Sequence, residues 1–218
     1  MCANASSGRS RPTTRSSRGA RTHAPERRRS AAQAPFTILK TINSERDMIF
    51  AEVVRGLMAG DFSRLAPLFE APANRSPCPI VSWYENGLFT DQPTALAEAF
   101  SCACFNGCTQ VVEYFLSKGV NPSGGANTGL NAFHWAANRG QLKVVEILIR
   151  KNAPLETRNR YGGTVLGGTV WSAVHEPKPQ HAQIIETLLK AGARVSAAEY
   201  PSGDERVDEV LRRYGAGT

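Results

Sequence analysis

The chain has 218 residues, 26 basic and 19 acidic, with a formal net charge of +7 at pH 7. No run of about 18 apolar residues is present to cross a membrane as a helix, and no apolar leader marks the chain for secretion. Five cysteines, an odd number with three between Cys102 and Cys108, do not form a disulfide framework and suit a reduced, intracellular, cytoplasmic protein.

Residues 1–35 hold eight arginines and one acid, Glu26, so the whole net charge lies in this segment. From Phe36 onward 18 basic residues balance 18 acidic ones. Ser, Arg, Ala and Pro dominate residues 1–35, which cannot bury enough apolar surface to offset ordering entropy and are expected to be disordered. Three readings stay open for this tail: a transit segment, a nucleic-acid or anionic-surface binder, or a solvated extension.

Residues 36–86 are expected to form an N-terminal helical cap followed by a loop insertion. Ser44 and Asp47 make a variant capping box before a helix over Met48–Met58. Gly60 follows, with Leu65 and Leu68/Phe69 spaced as on an outer helix. Pro72, Pro77 and Pro79 then read as a loop, with Trp83 and Tyr84 in it and loosely constrained. Asn74-Arg75-Ser76 is a glycosylation sequon that an intracellular chain leaves unused.

Residues 87–218 carry a repeat. Asp91 is placed to cap a helix from Pro93 to about Phe105. Gly107 is followed at +4/+5 and +8/+9 by Val111/Val112 and Phe115/Leu116. Gly140, 33 residues later, has Val144/Val145 and Leu148/Ile149 at the same offsets, and Gln180 has Ile184/Ile185 and Leu188/Leu189. That spacing puts each pair on one buried stripe of a helix. Seven extra residues before Gln180, among them Glu176-Pro177-Lys178-Pro179, form a second insertion. Val207, Val210 and Leu211 before Gly215-Ala216 mark a closing helix.

The run Gly129-Leu130-Asn131-Ala132-Phe133-His134-Trp135-Ala136-Ala137-Asn138-Arg139-Gly140 resembles the ankyrin pattern Gly-x-Thr-Pro-Leu-His-x-Ala-Ala-x-x-Gly. Asn131 stands for Thr and remains an N-cap; Ala132 and Phe133 stand for Pro and Leu. The resemblance implies an all-α solenoid of stacked helix–turn–helix units with short hairpin turns: two good repeats, a diverged third, and helical caps. It also implies a non-catalytic protein–protein interaction scaffold using a concave surface of hairpin tips and inner helices. Carried onto this sequence, that surface comprises Phe105, Asn106, Asn127, Thr128, Leu130, Asn138, Arg139, Arg158, Arg160 and Tyr161, a mildly basic strip suited to a protein partner bearing carboxylates. The surface beyond Tyr161 departs from the pattern, with Gly167 at the histidine position.

Competing chemistry is weaker. Gly162 to Thr169 has the glycines of a phosphate loop without its lysine and reads as a hairpin instead. Cys102, Cys104 and Cys108 have no fourth zinc ligand nearby in sequence and are expected to act as small buried groups, with a zinc site or a redox-responsive thiol as the alternatives. His134 is expected to bond within and between repeats, and His175 and His181 to be exposed. Trp135 is expected in the core, while Trp83, Tyr84 and Trp171 are able to anchor a partner. No enzyme activity, cofactor or metal is expected, and the chain is expected to be monomeric. The alternative function is a nucleic-acid or anionic-surface tether acting through residues 1–35.

Overall fold

The computed structural model describes residues 49–71 and 77–217. The tail 1–35, the capping residues Ser44 and Asp47 and the sequon at Asn74 lie outside them.

Helix α1 runs through residues 49–59. It is followed by α2 (Phe62–Leu65), a 3-10 turn (Ala66–Phe69), α3 (Pro79–Glu85) and α4 (Pro93–Asn106). Then come α5 (Thr109–Ser117), α6 (Ala132–Asn138), α7 (Leu142–Arg150), α8 (Val165–His175) and α9 (His181–Lys190). A 3-10 turn (Val195–Ala197) leads to α10 (Glu205–Arg213). The only extended pairing among the described residues is one antiparallel bridge, Arg158 to Thr164, at a hairpin. The all-α architecture read from the sequence is what the described residues form.

Three helix pairs repeat. Inner helices α4, α6 and α8 pack in succession, as do outer helices α5, α7 and α9, and α10 closes the stack against α9. The apolar pairs provide the reason. Val111 and Val112, Val144 and Val145, Ile184 and Ile185 are all buried, as are Phe115, Leu148, Leu188 and Leu189. Each such side chain contributes about 1.5–3 kcal/mol when removed from water, and none can reach that state on its own unit. Ala136 and Ala137 are buried too, so α6 approaches its neighbours closely. Gly107, at φ +73°, ends α4 in the left-handed conformation, and its N–H bonds the carbonyls of Ala103 and Cys104; Gly140 repeats the turn at φ +76°.

The structure corrects the sequence reading in several places. The helix expected after Gly60 is broken into α2 and a 3-10 turn, because Pro67 has no N–H to continue an α-helical ladder. Pro79 opens helix α3 rather than marking a loop, since a first-turn N–H has no intrahelical partner to lose. Trp83 on that helix is buried, with its ring 5.7 Å from Phe50 and nearly perpendicular to it. Asp91 is not the cap of α4: Gln92 holds that place, without a side-chain bond, and Asp91 is exposed. Trp135 is half-buried rather than fully in the core. His181 is buried rather than exposed, for reasons of bonding given below.

Asn131 caps α6 as expected, its side chain accepting from the His134 N–H, and Thr164 does the same for α8 through the Gly167 N–H. Part of the second insertion is absorbed as helix, α8 having 11 residues where α6 has seven. The remainder is the bend through Pro177 and Pro179, after which Gln180 caps α9 without left-handed backbone.

Candidate functional site

Phe105, Asn138 and Trp171 occupy one position on three successive inner helices, each 33 residues from the last. Trp135, on α6, packs on the aromatic side chains of the preceding elements. Its ring is edge-on to Phe62 at 5.7 Å and to Phe105 at 5.2 Å, and Phe62 and Phe105 are themselves edge-on at 5.6 Å. Such pairs add about 0.5–1.5 kcal/mol each beyond area burial. The Trp135 indole N–H donates to the Thr128 hydroxyl at 3.1 Å, and the Arg139 guanidinium lies 4.5 Å over the Phe105 ring. Phe105, Thr128 and Arg139 are thus joined in one aromatic cluster on the inner-helix face.

The hairpin residues divide by what their polar groups do. The Asn106 amide is engaged internally, donating to the carbonyls of Phe62 and Cys102 at 3.0 Å each. Asn127 ties its hairpin to the preceding units: its N–H donates to Glu98 at 2.7 Å and its amide to the Met58 carbonyl at 2.8 Å. One hairpin on, Arg160 donates to the Asn127 carbonyl at 3.0 Å, and Arg158 to the Gly162 carbonyl. The Asn159 carboxamide oxygen accepts from the N–H groups of Tyr161 and Gly163 at 2.9 and 3.0 Å. That side-chain turn holds Tyr161 out, 79 % exposed.

A groove of about 640 Å³ runs beside α6 and α8, lined by Leu130, Asn138, Tyr161, Gly168, Trp171 and Glu199 among others. Trp171 is 53 % exposed and stacked on His175, their rings 4.4 Å apart. Of the expected surface, Leu130, Asn138 and Tyr161 meet here, while Phe105, Asn106, Asn127, Thr128 and Arg139 belong to the preceding interval. The sequence reading stopped at Tyr161 and did not join Trp171 to it or single out Glu199. The signal available was the 33-residue step from Asn138 to Trp171.

The remaining constellations are packed or hydrogen-bonded within the fold. Cys102 and Cys104 are fully buried on α4. Burial pushes both thiols well above the ordinary range and that of Cys108 to about 11. Among the described residues no three His, Cys, Asp or Glu side chains gather as a metal site. Gly162 and Gly163 form the hairpin and Gly167 and Gly168 lie within α8. His134 bridges repeats, with Nδ1 2.7 Å from Asn131 Oδ1 and Nε2 3.1 Å from the Gly163 carbonyl. His181 accepts from the Lys178 N–H at Nδ1 (3.2 Å) and faces the Asn138 carbonyl with Nε2 (3.0 Å). Burial lowers the pKa of both histidines. Glu98 is buried with one carboxylate oxygen unpartnered, and burial raises its pKa against the opposing Asn127 N–H.

Comparison with known proteins agrees with this geometry. Residues 100–199 match the family model for ankyrin repeats in three copies. An ankyrin repeat protein of Acanthamoeba polyphaga mimivirus, L92, is 31 % identical over 94 residues, 43 % of this chain and 23 % of its own length. The rice (Oryza sativa subsp. japonica) protein named as a probable E3 ubiquitin-protein ligase, XBOS33, is 34 % identical over 76 residues, 34 % of this chain and 13 % of its own length. This chain therefore spans less than a quarter of either relative. Among the described residues no helix is long and apolar enough to cross a membrane.

Proposed function

We infer the function of this chain from the ankyrin-repeat array that it carries over residues 100–199. Ankyrin repeats are in general modules that bind other proteins. This chain acts as a non-catalytic scaffold that holds a protein partner against its inner helices and hairpin tips. The observation that carries this reading is the placement of Tyr161 and Trp171. Both are large aromatic side chains, 79 % and 53 % exposed, on the walls of one groove. Exposed aromatics flanked by a polar rim are the usual anchors of an interface. Arg139 at the end of α6 and Arg158 and Arg160 on the Tyr161 hairpin supply polar groups outside the lining of that groove.

The test replaces Arg139, Arg160 and Tyr161 by alanine together. Affinity capture from the native cell with mass spectrometry is expected to lose the partners that the unaltered chain retains, with Tm within a few degrees of the parent. Retained capture overturns the assigned surface. Loss of capture with a collapsed Tm is resolved by Tyr161→Ala alone, an exposed position with no packing role to lose.

A further inference from the structure

The position that holds Trp135 on α6 holds Gly168 on α8, 33 residues later. Trp135 packs edge-on against Phe105 of the preceding inner helix; Gly168 has no side chain to do the same, and the groove of about 640 Å³, lined by Asn138, Gly168 and Trp171, lies there. Its size suits a few residues of an extended segment rather than a single atom or ion. Around this space stand a specific set of groups. Trp171 and Tyr161 offer aromatic faces, Leu130 an apolar wall, and Glu199 an exposed carboxylate with no ion-pair partner among the described residues. Asn138, on the same wall, has its side-chain oxygen buried and without a hydrogen-bond partner.

We propose that this groove receives an arginine side chain from an extended segment of a partner protein. A guanidinium is planar, so it stacks on Tyr161 or on the face of Trp171 that His175 leaves open, and it is cationic with five donors in one plane, so it meets Glu199 in a fork. The methylene stem runs along Leu130. The molecule makes the same kind of contact internally one interval earlier, where Arg139 lies 4.5 Å over Phe105. A lysine ammonium would meet the carboxylate but neither stack nor fork. This inference rests on the reading of the inner-helix face as a partner-binding surface.

The test uses the full chain labelled with ¹⁵N and three probes: N-acetyl-arginine methylamide, its lysine counterpart, and its citrulline counterpart, which is planar and nearly isosteric but neutral. The Trp171 indole N–H resonance, assigned with Trp171→Phe, is followed during titration. Arginine is expected to bind at least about tenfold tighter than citrulline and tighter than lysine. Glu199→Gln is expected to bring arginine within about twofold of citrulline, and Gly168→Leu, which fills the floor, to abolish all three responses at unchanged Tm. Should Gly168→Leu lower Tm, Glu199→Gln, an exposed change, decides alone. Equal binding of arginine and citrulline, a Trp171 signal blind to every probe, or indifference to Glu199→Gln overturns the proposal. If the full chain responds to no probe but responds once the eight arginines of residues 1–35 are changed to glutamine, the occupant is this chain's own tail and the assignment to a partner falls. The two readings fail separately: probes that bind as expected while partner capture survives loss of Arg139, Arg160 and Tyr161 refute the broader surface, and the reverse outcome refutes only the arginine groove.

Discussion

His181 Nε2 lies 3.0 Å from the Asn138 carbonyl oxygen, so the start of one outer helix holds the end of the preceding inner helix. The tautomer is fixed by the other nitrogen. Nδ1 accepts from the Lys178 N–H, so Nε2 carries the proton and donates. Adding a second proton would set Nδ1–H against Lys178 N–H, and burial already lowers the pKa. The unfolded chain takes up that proton near pH 6.5 while the folded one resists it. Stability from His181 is therefore present above pH 6.5 and lost as pH falls through the window down to the lowered folded value. Thermal melts of the full chain at pH 8 and 5.5 are expected to show a smaller pH difference in His181→Phe than in the parent. His181→Phe should also cost about 1–3 kcal/mol at pH 8, because the Asn138 carbonyl and Lys178 N–H lose their partner. An unchanged pH difference contradicts the assignment.

His134 faces two acceptors, Asn131 Oδ1 at 2.7 Å and the Gly163 carbonyl at 3.1 Å, and a neutral imidazole has one N–H to give. Asn131 Oδ1 also accepts from the His134 backbone N–H, which fixes it as an oxygen. A threonine hydroxyl in place of Asn131 could accept from that N–H and donate to Nδ1, leaving Nε2–H for Gly163. Asn131→Thr is accordingly expected to lower the His134 pKa below its already lowered value, read by NMR titration of the imidazole. An unchanged or higher pKa contradicts this account.

Glu98 is a buried carboxyl with a raised pKa. A raised folded pKa means the folded state holds the proton more tightly, so Glu98 disfavours folding increasingly as pH rises above the unfolded value near 4.3, up to the raised folded value. Glu98→Gln removes that dependence. Its stability relative to the parent is expected to climb between pH 4 and 8. Parallel denaturant midpoints across that range would refute it.

Gly167 and Gly168 look alike in sequence and differ in space. A Cβ on Gly167 would stand 2.6 Å from the Ala197 carbonyl oxygen, whereas one on Gly168 would meet Asn138 at an ordinary 3.5 Å. Gly167→Ala is expected to cost about 1–3 kcal/mol through backbone displacement. Gly168→Ala should be neutral or gain up to about 1 kcal/mol from helix propensity. Chemical denaturation of the two variants measures both, and equal effects would count against the close packing of α8 on the 3-10 turn.

Cys102 and Cys104 are buried thiols pushed far from ionisation, and burial pushes the Cys108 thiol up to about 11. At pH 7.5 none of the three is expected to alkylate in the native protein at the rate of a free thiol, and all three should label in denaturant. Peptide mapping after iodoacetamide distinguishes them. Rapid native labelling of Cys104 would show that α4 opens.

The repeat was legible because it rests on local rules. Val144/Val145 and Leu148 need a neighbour on one face of a helix, and the 33-residue step between Gly107 and Gly140 declares how often that face recurs. Asn131 and Thr164 announce helix starts through their own short side chains. Pro79 misled because proline suits both a loop and a first helical turn, and only the burial of Ile80 and Trp83 against other elements selects the second. His181 misled for a similar reason: its neighbours Pro177, Pro179 and Gln180 are surface residues, and its burial depends on the Asn138 carbonyl 43 residues away.

The same division runs through the site. By itself the sequence determined the recurring helix pairs, the caps of α6 and α8 and the aromatic and basic side chains at the hairpins, since period, capping and turn chemistry act within a few residues. Tertiary structure decided what those side chains are free to do. The Asn106 and Asn127 amides are held by Phe62, Cys102 and Met58 carbonyls, whereas Tyr161, Trp171 and Glu199 are brought to one groove from three separate segments. Hydrogen-bond satisfaction and enclosed space depend on which distant groups stacking brings within a few ångströms, and no local pattern encodes that.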